Sequence, residues 1–147
     1  MRTIAVIQAR IDSTRLPNKV FADICGKSML QHIIERVQRA EALAAVVLAV
    51  PTRASDVFAR FARTIGVGFF DDLLDANDVL GRLFLASQGY DLVVRVPADN
   101  PCVEPGEIDR LVRAYIPGRA ELWSNTHNFC GRMDGGRYEW NGYPDGL

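Results

Sequence analysis

The sequence has no hydrophobic run long enough to cross a membrane. Its longest uninterrupted apolar stretch, Ala42–Val50, has nine residues, whereas a membrane-spanning helix needs about 20. Near the start, Arg2 is followed by too few apolar residues before Gln8 and Arg10 to form a secretory signal peptide. We therefore expect a cytoplasmic protein with no membrane partner.

Cysteine and excess charge are also scarce. The three cysteines, Cys25, Cys102 and Cys130, are far apart and form no C-x-x-C pair, so we expect free thiols and neither a zinc nor a redox site. Lys and Arg total 17 against 18 Asp and Glu, a formal net charge of -1. This balance argues against a nucleic-acid partner, because such proteins usually carry a clear basic excess.

Several well-known catalytic motifs are missing as well. The sequence contains no G-x-x-x-x-G-K-[ST], no G-x-G-x-x-G and no G-x-S-x-G. The first absence excludes a P-loop, the second gives no indication of a dinucleotide cofactor, and the third removes the usual nucleophile of the α/β-hydrolases.

What the sequence does contain is a regular alternation of short strand-like runs and amphipathic helices. The pattern predicts helices capped by Ser28, by Ser55 and by Asn77 or Asp78, and a fourth beginning at Pro105. The predicted strands cover Ile4–Ile7, Val46–Val50, Val67–Phe70, Leu92–Val96 and Leu122–Ser124. This alternation predicts a three-layer α/β/α fold with a mostly parallel sheet, in which ligands bind at the carboxyl ends of the strands.

We interpret residues 1–147 as a single domain. The third predicted helix carries its apolar residues at Val79, Leu80, Leu83 and Phe84, which we expect to form one buried face. Residues 125–147 are rich in glycine and aromatic residues and fit no helix. The final Y-P-D-G-L reads as a turn, so we expect the chain to be truncated before a further strand.

A basic segment, A-R-I-D-S-T-R-L-P-N-K at Ala9–Lys19, directly follows the first predicted strand. It carries three cations, Arg10, Arg15 and Lys19, and its proline disfavours a helix interior. An extended loop leaves backbone N–H groups available, and Ser13 adds a hydroxyl donor. Such donors suit a polyphosphate. The alternative is a surface loop whose arginines form ordinary salt bridges.

Asp99 follows the fourth predicted strand and stands between Pro97 and Pro101. A carboxylate at a strand's carboxyl end can hold Mg²⁺, which takes only one or two protein carboxylates. Alternatively, Asp99 hydrogen-bonds the turn, as aspartate often does. A second group of acids lies in the segment 71–78. We expect these carboxylates to be solvated rather than metal-bound, with Asp78 capping the third helix.

Four stretches, in order along the whole chain, resemble the sugar-activating cytidylyltransferases such as the CMP-Kdo and CMP-N-acetylneuraminate synthetases. The group most similar to this chain is the spore coat polysaccharide biosynthesis protein F group. Ala9–Lys19 resembles A-R-x-x-S-T-R-L-P-x-K, and Asp78–Arg82 resembles D-V-L-x-R. Val94–Pro101 resembles V-R-[IV]-x-G-D-x-P, and Ser124–Thr126 followed by Tyr143–Leu147 resembles S-N-T followed by Y-P-D-G-L.

The resemblance implies a GT-A-like nucleotidyltransferase fold and assigns roles to the first loop. Ala9 and Arg10 would contact the cytidine end of CTP. Arg10, Arg15 and Lys19 would contact the triphosphate, with Ser13 along the same loop. Of these, Arg15 and Lys19 are the expected catalytic residues, because positive charge stabilises the departing pyrophosphate.

The resemblance also assigns residues in the later stretches. Asp78 and Arg82 would lie near the base and ribose, and Asp99 would hold Mg²⁺. Two positions depart from the family pattern, because Asn18 and Ala98 stand where the family usually has glycine. In the family, P-D-G-L continues into a D-x-E that carries a second acidic residue, and the given sequence ends before that stretch.

The implied reaction is attack by a sugar hydroxyl on the α-phosphorus of CTP, with release of pyrophosphate, for cell-surface polysaccharide synthesis. The partners would be CTP and a small sugar, and a homodimer is expected from the position of the glycine-rich tail. Two alternatives are a nucleotide-binding module without turnover and a GT-A glycosyltransferase that uses a nucleotide-sugar donor. The latter usually has D-x-D, whereas Asp99 is followed here by Asn100 and Pro101.

Overall fold

In the computed structural model, the described residues are 1–11, 16–52, 55–115, 117, 133–134 and 137–138. Among them, four parallel strands form the main sheet: β1 (Thr3–Gln8), β4 (Ala45–Pro51), β5 (Gly68–Asp72) and β6 (Leu92–Pro97). Their order across the sheet is β5-β4-β1-β6. All three pairings are parallel, so the predicted fold class is confirmed.

The sheet has helices on both faces because its strands are apolar on both faces. Ala5 and Ile7 of β1 point to one face, which is covered by α1 (Met29–Val37), α2 (Ser55–Ile65) and α4 (Pro105–Ala114). The neighbouring side chains of β1 point to the other face and pack with α3 (Val79–Ala86). The strands therefore form the middle layer of three.

The helix starts follow the capping signals closely. The Ser28 hydroxyl accepts a hydrogen bond from the Gln31 N–H at 3.1 Å, and the Asp78 carboxylate accepts one from the Gly81 N–H at 2.9 Å, so both predicted caps are confirmed. Pro105 opens α4 as predicted. Ser55 is the first residue of α2 rather than the residue before it.

A small hairpin was absent from the predicted elements. Strands β2 (Asp23–Ile24) and β3 (Lys27–Ser28) pair antiparallel, joined by Cys25 and Gly26, which both have positive φ, at 53° and 84°. Two consecutive positive φ values match the turns that close two-residue hairpins. The hairpin follows a short 3-10 helix, Lys19–Phe21, and leads directly into α1.

The predicted buried face of α3 is partly wrong. Leu83 packs against the sheet, but Leu80 is 78% exposed and Phe84 is 67% exposed. The residue buried most deeply on this helix is instead Arg82. Because a charged residue takes an inward position, the helix is rotated relative to the face that apolar periodicity alone predicts.

Several predictions fall on residues that the structure does not describe. The predicted strand Leu122–Ser124 lies outside the described residues, and so does most of 125–147. The described residues there form the strand pair β7 (Met133–Asp134) and β8 (Arg137–Tyr138). In the part of the chain that the structure describes, every helix is too short or too polar to cross a bilayer.

Candidate nucleotide site

A cleft of about 570 Å³ lies at the carboxyl ends of β1 and β6. These strands are neighbours, with Gln8 paired to Pro97, so the chains that leave them begin side by side. We call this space the β1–β6 cleft. Its polar lining residues, among those described, are Gln8, Arg10, Lys19, Asn77, Arg82, Arg95 and Asp99. The two loops singled out in the sequence therefore meet at one site, as predicted for the carboxyl edge of a parallel sheet.

The floor of the cleft is built from small residues that follow the strands. Ala9 is 3% exposed and Ala98 is 7% exposed. The Ala9 N–H donates to the Ala49 carbonyl at 3.1 Å, which continues the pairing of β1 with β4 by one residue. Short side chains here keep the cleft open close to the backbone.

Arg10 connects the two sides of the cleft. Its side chain leaves the end of β1, and Nη1 donates to the Asn77 Oδ1 atom at 3.3 Å. Asn77 belongs to the loop between β5 and α3. The loop after β1 and the loop before α3 therefore contact each other across the cleft, and Asn77 was not among the predicted site residues.

Lys19 and Asp99 form an ion pair inside the cleft. The Lys19 Nζ atom lies 2.9 Å from Asp99 Oδ2, and the side chains are 33% and 55% exposed. Lys19 is positioned by the preceding residue, Asn18, which has φ 56° and ψ 20°. Asparagine tolerates this left-handed conformation better than most residues do, so it serves where the family usually has glycine.

The structure does not describe Ser13 and Arg15. Of the cations predicted to contact the triphosphate, Arg10 and Lys19 lie among the described residues, and both line the cleft.

Asp72 and Arg82 form a buried ion pair beneath the cleft. Their side chains are 4% and 1% exposed, and Arg82 Nε lies 2.7 Å from Asp72 Oδ2. Arg82 Nη2 also donates to Asp72 Oδ1 at 3.0 Å. The expectation that the acids of 71–78 are solvated is thus wrong for Asp72. A buried arginine needs a carboxylate partner, and Asp72 at the end of β5 is within reach.

The other acidic residues of this stretch are exposed, as expected. Asp78 caps α3, and its carboxylate does not line the β1–β6 cleft. Within the described residues, no three His, Cys, Asp or Glu side chains are grouped closely enough to hold a metal ion by themselves. A cation held by the described residues of the cleft would therefore have few protein ligands.

Asp99 has a side chain suited to a metal site with few protein ligands. Its carboxylate is more than half exposed and faces the cleft. Mg²⁺ is usually bound by one or two carboxylates, with waters and substrate phosphates completing its shell. The donor set fits a cation that arrives with a phosphorylated ligand.

Arg95 is a further cation that the sequence interpretation did not assign. It lies on β6 opposite Val6 of β1, is exposed, and lines the cleft. Among the described residues, four cations border the cleft against one carboxylate, with Asp72 behind Arg82 as a second. This positive excess suits an anionic ligand. Side chains alternate along a strand, so Arg95 lies on the same face of β6 as Pro97, which also lines the cleft. That alternation was the signal that could have identified Arg95.

Comparison with known proteins identifies related sequences. The family described as Cytidylyltransferase matches residues 4–129. A 3-deoxy-manno-octulosonate cytidylyltransferase from Geobacter sulfurreducens is 38% identical over 114 residues, which are 76% of this chain and 44% of that protein. One from Trichlorobacter lovleyi is 30% identical over 118 residues, 79% of this chain and 46% of that protein. The chain spans about half the length of the curated relatives it matches.

Two of the solved structures that match this fold are also a CMP-sugar-acid synthetase and a cytidylyltransferase. A CMP:2-keto-3-deoxy-manno-octonic acid synthetase complexed with CTP matches with a TM-score of 0.66 and 28% identity, covering 77% of this chain and 46% of that one. A cytidylyltransferase from Leptospira borgpetersenii matches with a TM-score of 0.71 and 27% identity, covering 81% and 50%. The expected α/β nucleotidyltransferase fold is confirmed.

Proposed function

This chain belongs to the cytidylyltransferase family, and from that premise we propose that it carries the CTP-binding site of an enzyme that activates a sugar acid. The observation that carries the proposal is the meeting of Arg10, Lys19 and Asp99 in one cleft at the carboxyl ends of β1 and β6. A related structure of 28% identity was solved with CTP, which supports CTP as the nucleotide.

In the proposed reaction, a sugar hydroxyl oxygen attacks the α-phosphorus of CTP. The bond from the α-phosphorus to the oxygen that bridges to the β-phosphorus breaks, and pyrophosphate leaves with that electron pair. The hydroxyl proton passes to water. The relatives named above act, by their names, on 3-deoxy-manno-octulosonate, so a sugar acid of this class is the proposed acceptor.

The residues of this chain would contribute mainly positioning and positive charge, which is what such transfers require. Arg10 and Lys19 would hold the phosphates from one side, with Arg15 of the same loop, and thereby stabilise charge on the pyrophosphate as it departs. Asp99 would hold Mg²⁺. When bound there, the ion neutralises phosphate charge and orients the triphosphate.

Asp78 and Arg82 stay in the proposal as residues near the nucleoside. Asp78 follows Asn77, which contacts Arg10, and Arg82 lies on α3. Membership of the spore coat group and a homodimer remain predictions from the sequence. So does the location in the cytoplasm.

The experiment is a ligand panel on the full chain. CTP, UTP, ATP and UDP-sugars are added in turn with Mg²⁺ and 3-deoxy-manno-octulosonate, and both thermal shift and pyrophosphate release are measured. A ligand at 100 times its Kd adds about 2.7 kcal/mol of stability. Stabilisation by CTP with pyrophosphate release supports the proposal, and stabilisation by a UDP-sugar alone overturns it in favour of a glycosyltransferase.

The same panel tests whether turnover occurs. Stabilisation by CTP without pyrophosphate release would leave nucleotide binding in place and overturn the proposed catalysis by this chain. Lys19→Met tests the contribution of this cation to CTP binding, because it removes the positive charge while keeping an unbranched side chain. We expect it to weaken CTP binding about tenfold, the loss typical of one charge-assisted hydrogen bond.

A further inference from the structure

The buried Asp72–Arg82 pair commits nearly all of the hydrogen-bonding capacity of Arg82 to the protein itself. Besides its two bonds to Asp72, Arg82 donates from Nη2 to the Asp75 carbonyl at 3.3 Å. It also donates from Nη1 to the Ala76 carbonyl at 3.4 Å. A guanidinium has five N–H donors, and four hydrogen bonds are made here. Little remains for a ligand, although Arg82 borders the cleft.

These bonds determine the shape of the loop between β5 and α3, residues 73–78, which we call the wall loop. Asp72 Oδ1 also accepts from the Leu74 N–H at 2.9 Å. The pair is therefore hydrogen-bonded to the loop at Leu74, near its start, and at Asp75 and Ala76, in its middle. The Asp75 carboxylate then accepts from the Asn77 N–H at 2.8 Å. Each of these bonds limits where Ala76 and Asn77 can lie.

The wall loop presents Ala76 and Asn77 to the β1–β6 cleft. Asn77 Oδ1 already accepts from Arg10, and among the described residues its amide NH₂ group donates to no partner, which leaves two donors there. Those donors match the carbonyl oxygens and ring nitrogens of a nucleobase or the oxygens of a ribose. Asn77 is therefore the polar side chain through which the wall loop can contact a nucleoside.

We propose that Asp72 and Arg82 are positioning residues that hold the wall loop so that Asn77 binds the nucleoside part of the substrate. Arg82 thus acts through the loop rather than by its own charge, and Asn77 becomes a specificity-determining residue. This inference rests on the proposed function only for the identity of the nucleotide. The positioning itself follows from the hydrogen bonds within the protein.

The test replaces the pair by apolar residues of similar size, Arg82→Met with Asp72→Leu. A buried ion pair can often be replaced in this way without loss of folding, whereas removing one partner leaves a buried charge. The double variant removes the bonds to Asp75 and Ala76. Its matched control is Arg110→Met with Glu107→Leu, which removes another two-bond arginine–carboxylate pair, on α4 and outside the cleft.

CTP affinity with Mg²⁺ is measured by calorimetry for wild type, the pair variant, Asn77→Ala and the triple variant. We expect the pair variant to weaken binding about fivefold, because it removes the contact that Asn77 makes with the nucleoside. Asn77→Ala should weaken it about fivefold, one neutral hydrogen bond. The triple variant should bind within about twofold of the pair variant, because both changes remove the same contact. Unchanged affinity is expected for the α4 control.

Additive losses in the triple variant would overturn the proposal, and so would wild-type affinity in a folded pair variant. A weaker salt dependence of CTP binding in the pair variant would instead indicate that Arg82 acts by charge. Hydrogen exchange without nucleotide gives a separate reading, because the Asn77 and Asp78 amides should exchange faster in the pair variant. If wild type binds no CTP, the proposed function fails while this exchange result still tests the positioning.

Discussion

The Lys19–Asp99 ion pair predicts that Asp99→Asn strengthens CTP binding without Mg²⁺ and weakens it with Mg²⁺. In the structure, Lys19 Nζ and Asp99 Oδ2 lie 2.9 Å apart, so the two charges neutralise each other. In the proposed complex each has another partner, since Lys19 contacts phosphate and Asp99 holds Mg²⁺. The pair must therefore be given up when a magnesium nucleotide binds, and Asp99→Asn removes it beforehand.

The size of the effect follows from the exposure of the pair. Both side chains are at least one-third exposed, and such pairs contribute about 0.2–1 kcal/mol. Releasing Lys19 should strengthen metal-free CTP binding by at most about fivefold. With Mg²⁺ present the variant lacks the carboxylate ligand, so we expect binding to weaken by about tenfold or more, as seen when the surroundings of a metal site are disrupted.

Calorimetric titration with CTP, once with EDTA and once with Mg²⁺, measures both effects on the same protein. Glu104→Gln is the matched control, because it breaks another exposed pair, with Arg36 at 2.8 Å, outside the cleft. We expect the control to leave both affinities unchanged. If Asp99→Asn weakens CTP binding equally in EDTA and in Mg²⁺, the exchange of partners is refuted.

Three further predictions concern stability. Asp78→Ala should cost about 1 kcal/mol by urea unfolding, whereas Asp78→Asn keeps a capping side chain and should cost much less; equal losses would refute the cap. Leu30→Ala should cost about 2–5 kcal/mol and Leu80→Ala under about 0.5, because they are 0% and 78% exposed; similar costs would contradict the orientation of α3. A hydrogen bond from Lys27 lowers the pKa of Glu35 below its ordinary 4.5, so this pair stabilises the fold above about pH 5 and ceases to do so as the pH falls through the lower folded pKa. Lys27→Met should therefore be less stable than wild type at neutral pH, with the difference closing as the pH falls through the lowered pKa of Glu35. A difference that persists in acid would argue against this linkage.

The order and type of the main elements could be predicted from local patterns alone. Apolar runs gave β1, β4, β5 and β6, and capping residues gave the starts of α1 and α3. The β2–β3 hairpin was missed because its strands have two residues each and show no periodicity. Its turn depends on positive φ at Cys25, a residue that rarely indicates a turn.

The residues of the candidate site likewise divide into those that the sequence predicted and those that it did not. Arg10, Lys19 and Asp99 could be identified from sequence because each lies in a distinctive segment that follows a strand, and parallel strands end at one edge of the sheet. Asn77 and Arg95 were not assigned to the site, although Asn77 was a candidate cap of α3 and Arg95 lies on the strand that precedes Asp99. Each reaches the cleft only through the packing of its loop or strand against β1.

By itself, the sequence determined the alternation of strands and helices, the helix caps and the basic character of the loop after β1, because these depend on interactions between residues close together along the chain. Only the tertiary structure decided which charges meet. Lys19 and Asp99 are 80 residues apart, and Arg82 turns inward because Asp72 ends a strand directly beneath it. Such pairings depend on the relative placement of separate elements, where the low dielectric of the interior forces a buried charge to find its partner.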